Sequence, residues 1–161
     1  MVLKSHVNGM SYTLFMRMTK TLHIGGPLEY SLGGPPEAFL GTLFCLQKTG
    51  LIPSCLVVAV KNAREQSRLQ EIYDSGITCQ VLSVNQTLSR YQFSLRLPAK
   101  LIKMAKENEV IVVHGFYTFS LFCAVRLKRF HKRAVYVMPH GSLEPYQGRR
   151  HKFRKKSSDF F

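Results

Sequence analysis

The chain has no Trp, only four Cys, and nine acidic residues against 23 Lys and Arg. The cysteines are Cys45, Cys55, Cys79 and Cys123, and no two of them form a C-x-x-C pair. That spacing argues against the common zinc and dithiol redox motifs. Each cysteine has apolar neighbours, a setting in which a free thiol acts as a small buried hydrophobe. A reducing, cytoplasmic location is the simpler expectation. No apolar run approaches the roughly 20 residues needed for a transmembrane helix. The opening "MVLKSHVNGMSYTLFMRMTK" lacks the apolar stretch of a signal peptide. Neither G-x-G-x-x-G nor G-x-x-x-x-G-K-[ST] occurs, which weighs against dinucleotide-dependent and NTPase chemistry. Internal repeats and low-complexity segments are also missing.

What remains is a globular composition, 45% hydrophobic and 20% charged over 161 residues, sufficient for one domain with a core. The net charge is +14, and residues 126–161 hold eleven Lys and Arg against Glu144 and Asp159, so +9 of it lies there. Such a patch attracts anions: nucleic acid, anionic lipid or a phosphorylated substrate. Within "GRRHKFRKK" (148–156) only Phe153 is interleaved with the basic residues. A nucleic-acid surface would want more aromatics for base stacking, so a solvated helix face or a contact with anionic headgroups fits better.

Regular patterning begins near Lys20. Apolar runs at 21–26, 55–60, 77–84, 110–115 and 134–138 read as strands. Between them, 38–50, 62–76, 96–108 and 116–130 carry helical spacing, with Pro35 and Pro36 opening the first and Gly50 closing it. Residues 85–95 read as a polar loop, and 1–19 as a poorly patterned extension before a domain spanning 20–161. The strands are continuous Val/Ile/Leu runs, as in sheets covered on both faces. The expected fold class is therefore α/β, a doubly wound, Rossmann-like parallel sheet in three layers.

Two strands end on a His-Gly pair, "VIVVHG" with His114 and "VYVMPHG" with His140 and Gly141. In open parallel sheets ligands bind outside the carboxyl ends of the strands, which is where both histidines fall. They either meet a ligand there or cap strands by bonding to backbone groups; no third metal ligand accompanies them. A third feature, "SLGGPPEAFL", sets Gly33 and Gly34 before a helix whose N-terminus could accept a phosphate.

Taken together, "SLGGPPEAFLGTLFCLQKTG", "VIVVHGFY" and "YVMPHGSLEPYQGRRHKFRKK" resemble the N-terminal domain of the family 4 glycosyltransferases, retaining enzymes of GT-B fold, over residues 20–161. The last segment is the most specific, with its P-H-G, acidic-Pro-aromatic triplet and basic helix. The resemblance implies sugar transfer from a nucleotide-sugar donor as co-substrate, with no metal or other cofactor. It implies that His114 is the catalytic residue, beside the transferred sugar and hydrogen-bonded to it or to the acceptor, that Gly33 and Gly34 approach the donor diphosphate, and that His140, Gly141 and Glu144 shape the acceptor side. Acceptors would be lipid-linked sugars or polysaccharides at the inner face of the membrane. The family's second domain, which holds the donor, does not follow in this sequence. The chain is thus expected to be a truncated acceptor-side half, inactive without its partner domain. A reading from a different class is a stand-alone basic module for nucleic acid or anionic lipid.

Overall fold

The computed structural model describes residues 2–7, 10–15, 20–29, 33–60 and 62–140. The basic stretch, Gly141 and Glu144 lie outside them. Strands β1 (Val2–Val7) and β2 (Met10–Phe15) pair antiparallel as a hairpin of their own. The main body comprises β3 (Lys20–Gly25), α1 (Gly34–Lys48), β4 (Ile52–Val60), α2 (Ala63–Asp74), β5 (Thr78–Val84), the short α3 (Gln86–Arg90), α4 (Leu97–Glu107), β6 (Val110–His114), α5 (Phe119–His131) and β7 (Ala134–Met138). Its five strands form one all-parallel sheet in the order β5-β4-β3-β6-β7. The expected three-layer α/β class is the observed one.

The layers follow from side-chain alternation along each strand. Leu22 and Ile24 of β3, Leu56 and Val58 of β4, and Ile111 and Val113 of β6 point to one face, where they join Leu97, Leu101 and Met104 of α4 and Ala124 and Leu127 of α5 in one cluster. The opposite residues of β4, namely Cys55, Val57 and Ala59, pack with Phe39, Leu40 and Leu43 of α1 and Ile72 of α2. A buried Arg68 on α2 ties that layer together by pairing with Glu37 in the first turn of α1 and with Glu71 at 3.3 Å.

Caps set where the helices begin. Asn62, Asn85 and Thr118 accept from the backbone N–H groups of Glu65, Leu88 and Leu121 at 2.8, 2.9 and 3.3 Å, each satisfying a donor with no partner inside its helix. Among the described residues no helix is long and apolar enough to cross a membrane.

Four local expectations change. The loop over 85–95 contains α3, because Asn85 nucleates a capped turn there. Helix α1 starts at Gly34, with both prolines inside its first turn. Cys45 is exposed on α1 rather than buried, whereas Cys55 and Cys123 are buried as expected. The 1–19 extension also holds the β1–β2 hairpin, whose strands flank the pair Asn8-Gly9, a strong two-residue hairpin signal.

Candidate functional site

The chain builds β3, β4 and β5 outward in one direction, then returns to place β6 and β7 on the other side of β3. The boundary between β3 and β6 is therefore the topological switch point, where the loops leaving neighbouring strands diverge and open a crevice. A cavity of about 210 Å³ lies there. Its apolar walls come from Pro27, Leu28, Pro35, Pro36, Phe39 and Phe116. Its polar lining comes from Arg90, Gln92, His114, Tyr117, Thr118 and His140. Among the described residues no acidic side chain lines it.

His114 and His140 line it, and a third histidine, His23 within β3, lies behind His114 in the interior. Nδ1 of His23 lies 3.0 Å from Nε2 of His114. Nδ1 of His114 lies 2.9 Å from Nε2 of His140. The His114 and His140 rings are stacked with centroids 5.1 Å apart, and the edge of Phe39 meets His114 at 4.8 Å. His23 and His114 are 2% and 4% exposed, so the chain runs from the cavity into the interior.

Burial disfavours the imidazolium and lowers all three pKa values. His23 falls to about 4, His114 to about 3 under the added repulsion of its two neighbours, and His140 shifts in the same direction. At neutral pH the chain is uncharged. Its rings meet nitrogen to nitrogen, each contact joining one N–H to one lone pair, instead of aiming three lone pairs at a common point. No group of three metal-ligating side chains is found among the described residues.

Gln92 holds the rim. It follows α3 with φ 51, a conformation few side chains other than Asn and Asp adopt readily. Its own N–H donates to Ser89 O at 2.9 Å. This turn projects the side-chain amide so that Nε2 donates to Gly26 O at 2.9 Å and to His114 O at 3.0 Å. Both partners are carbonyls, which fixes the NH2 toward them. One amide thereby joins the ends of β3 and β6. Gly26 has φ +119, and a Cβ there would lie 2.3 Å from the carbonyl oxygen of Val58; only glycine fits. His140 also has positive φ, at 47. Two of the three non-glycine residues with positive φ among the described residues thus line the cavity, and strained backbone of this kind clusters at functional sites.

The two histidines singled out from sequence are brought together, and His114 has both ring nitrogens engaged by its neighbours. At the cavity, Nδ1 of His140 has no partner among the described residues. Gly33 and Gly34 cap and begin α1 beside the cavity, exposed, with Pro35 and Pro36 forming the wall in their place. Proline has no N–H, so two of the first-turn donors that would hold a phosphate are missing, and Glu37 adds negative charge to the same turn.

Sequence reasoning missed His23, Arg90 and Gln92. The first had a weak signal: "TLHIGG" is another strand run that carries a His just before its closing glycines, and its strand pairs with that of His114. Comparison with known proteins gives no match of this chain to any family model, curated protein or solved structure.

Proposed function

We propose that the chain is the acceptor-side half of a retaining sugar transferase and that the switch-point cavity holds a sugar. One observation carries the reading: segments of the chain that resemble the transferase family meet at this cavity. The proline turn of α1, the stretch from His114 to Tyr117, and Pro139 with His140 all line it, although they are far apart in sequence. Proline and phenylalanine walls suit the C–H faces of a sugar ring, and the imidazole, guanidinium and hydroxyl groups between them suit its oxygens. In this reading His140 and Arg90 bind and orient the sugar, and His114 sets the position of His140 from beneath. Nucleotide-sugar binding belongs to a donor-binding domain that closes over the cavity. Transfer requires donor and acceptor to be held in one geometry, so this cavity acts together with that domain.

The test is complementation. The full chain is mixed with the donor-binding half of an intact family 4 enzyme, and sugar transfer is assayed. Transfer appearing only in the mixture, and falling in the His140→Ala protein, is the expected result. No transfer from any pairing, with the intact enzymes active under the same conditions, overturns the reading.

A basic surface supports a second use. Arg126, Lys128 and Arg129 are exposed along α5, where they could face an anionic membrane or nucleic acid. Binding to duplex DNA that weakens steeply with salt, without sugar binding, would favour that module over the transferase half.

A further inference from the structure

The chain of imidazoles has a direction, and its buried end decides which. A neutral imidazole carries one N–H and one lone pair. With two N···N contacts joining three neutral rings, only two arrangements satisfy both contacts. In the first, every ring is protonated on Nδ1. His23 then donates to Nε2 of His114, His114 donates to Nε2 of His140, and His140 presents an Nδ1–H. In the second, every ring is protonated on Nε2. His140 then presents a bare Nδ1, and His23 carries an N–H at its far nitrogen.

That far nitrogen, Nε2 of His23, is buried and has no hydrogen-bond partner among the described residues. A buried N–H with no acceptor is among the rarest defects in folded proteins. The first arrangement avoids it and leaves only an unused lone pair. Burial also keeps the three rings neutral near pH 7, so a doubly protonated ring does not break the sequence of donors.

We propose that His23 is a positioning residue that fixes the direction of this hydrogen-bond chain, so that His140 offers a permanent Nδ1–H donor and the cavity, with Arg90 at its edge and no carboxylate among the described residues of its lining, selects a ligand bearing an oxyanion. The proposal rests on the sugar reading of the site and narrows it: the sugar is acidic, a uronate or a sugar phosphate. A donor that cannot turn into an acceptor distinguishes an oxyanion from a hydroxyl, because a hydroxyl can pair with either form of the ring while an oxyanion pairs only with N–H. Arg90 makes no ion pair among the described residues, so its charge is available.

Two measurements on the full chain test this. In protein labelled with ¹⁵N histidine, two-bond proton–nitrogen spectra at neutral pH identify the protonated nitrogen of each ring. All three rings protonated on Nδ1 is the expected result; His140 protonated on Nε2, or exchanging between forms, overturns the proposal. Binding is then compared for glucuronate, glucose 6-phosphate and glucose, the first two separating carboxylate from phosphate. At least one charged sugar should bind about tenfold tighter than glucose, the size of one charge-assisted hydrogen bond. Equal binding of all three, or none, overturns it.

The His23→Phe protein should lose that preference and show His140 exchanging between tautomers. If that substitution prevents folding, His140→Phe at the cavity should lose the preference alone. A preference retained in the folded variant refutes the role given to His23 or His140. Failed complementation with intact tautomer signals would sink the transferase reading and leave the directed chain standing.

Discussion

Acidification offers a direct test of the buried imidazoles. In the unfolded chain His23 and His114 titrate near the ordinary value of about 6.5; in the folded protein they do so at about 4 and about 3. Between those values the unfolded state binds protons that the folded state refuses, so stability falls as pH falls. Above about pH 6.5 both states are neutral at these rings and the effect vanishes. At about pH 5 each ring costs about 2 kcal/mol, and the two together about 4 kcal/mol. Domains of this size are held by only about 5–15 kcal/mol, so the loss is readily measured. Carboxylates add little between about pH 7 and 5, since they titrate below that window.

Urea denaturation followed by circular dichroism at a series of pH values supplies the free energies. The unmodified protein should lose about 4 kcal/mol from about pH 7 to about pH 5, and the His114→Gln protein about half of that. Comparing slopes, not absolute stabilities, separates the titration from any packing defect that the substitution causes. A change below about 1 kcal/mol in the unmodified protein would refute the claim that these rings are buried and neutral.

Further outcomes follow from close packing and exposure. Gly26→Ala should destabilise the protein by several kcal/mol, about 3 or more, because its Cβ would meet the Val58 carbonyl at 2.3 Å; thermal denaturation reads this. At Gly25 an added Cβ would lie 2.7 Å from the Phe39 ring, so Gly25→Ala should be less harmful in a Phe39→Leu background, and a double-mutant cycle should give a coupling of about 1 kcal/mol or more. A thiol reagent applied to the native protein should modify Cys45 well before Cys55 and Cys123, with mass spectrometry of peptides locating the label. Early modification of Cys55 or Cys123 would contradict the described core.

Much of the architecture was legible because parallel strands buried on both faces are uninterrupted Val/Ile/Leu runs, and each run from Lys20 onward became a strand. Boundaries moved where propensity gave way to pairing: β4 begins at Ile52, ahead of the apolar run, because Ile52 and Pro53 lie opposite Lys20 and Thr21 of β3. The rim position of His114 and His140 was also readable, since both end such runs. Their direct contact was not, because it depends on β6 and β7 being neighbours, and strand order is not written in the periodicity. His23 was hidden for a related reason. It lies inside a strand on the α1 face, and only the β3–β6 pairing carries it to His114. Gln92 gave no local signal at all; its role comes from a left-handed turn after a helix too short to stand out in the sequence.

The Gln92 amide has a consequence for assembly. It joins carbonyls at positions 26 and 114, and His23 and His114, which meet beneath it, are separated by 91 positions. Neither wing of the sheet, β3–β4–β5 or β6–β7, contains a complete ligand pocket, and none exists until the chain has closed that long loop. Contacts of such wide sequence separation form late and slowly. A ligand for this pocket would therefore bind only finished molecules, and its addition during refolding should draw the last step forward without hastening the earlier ones.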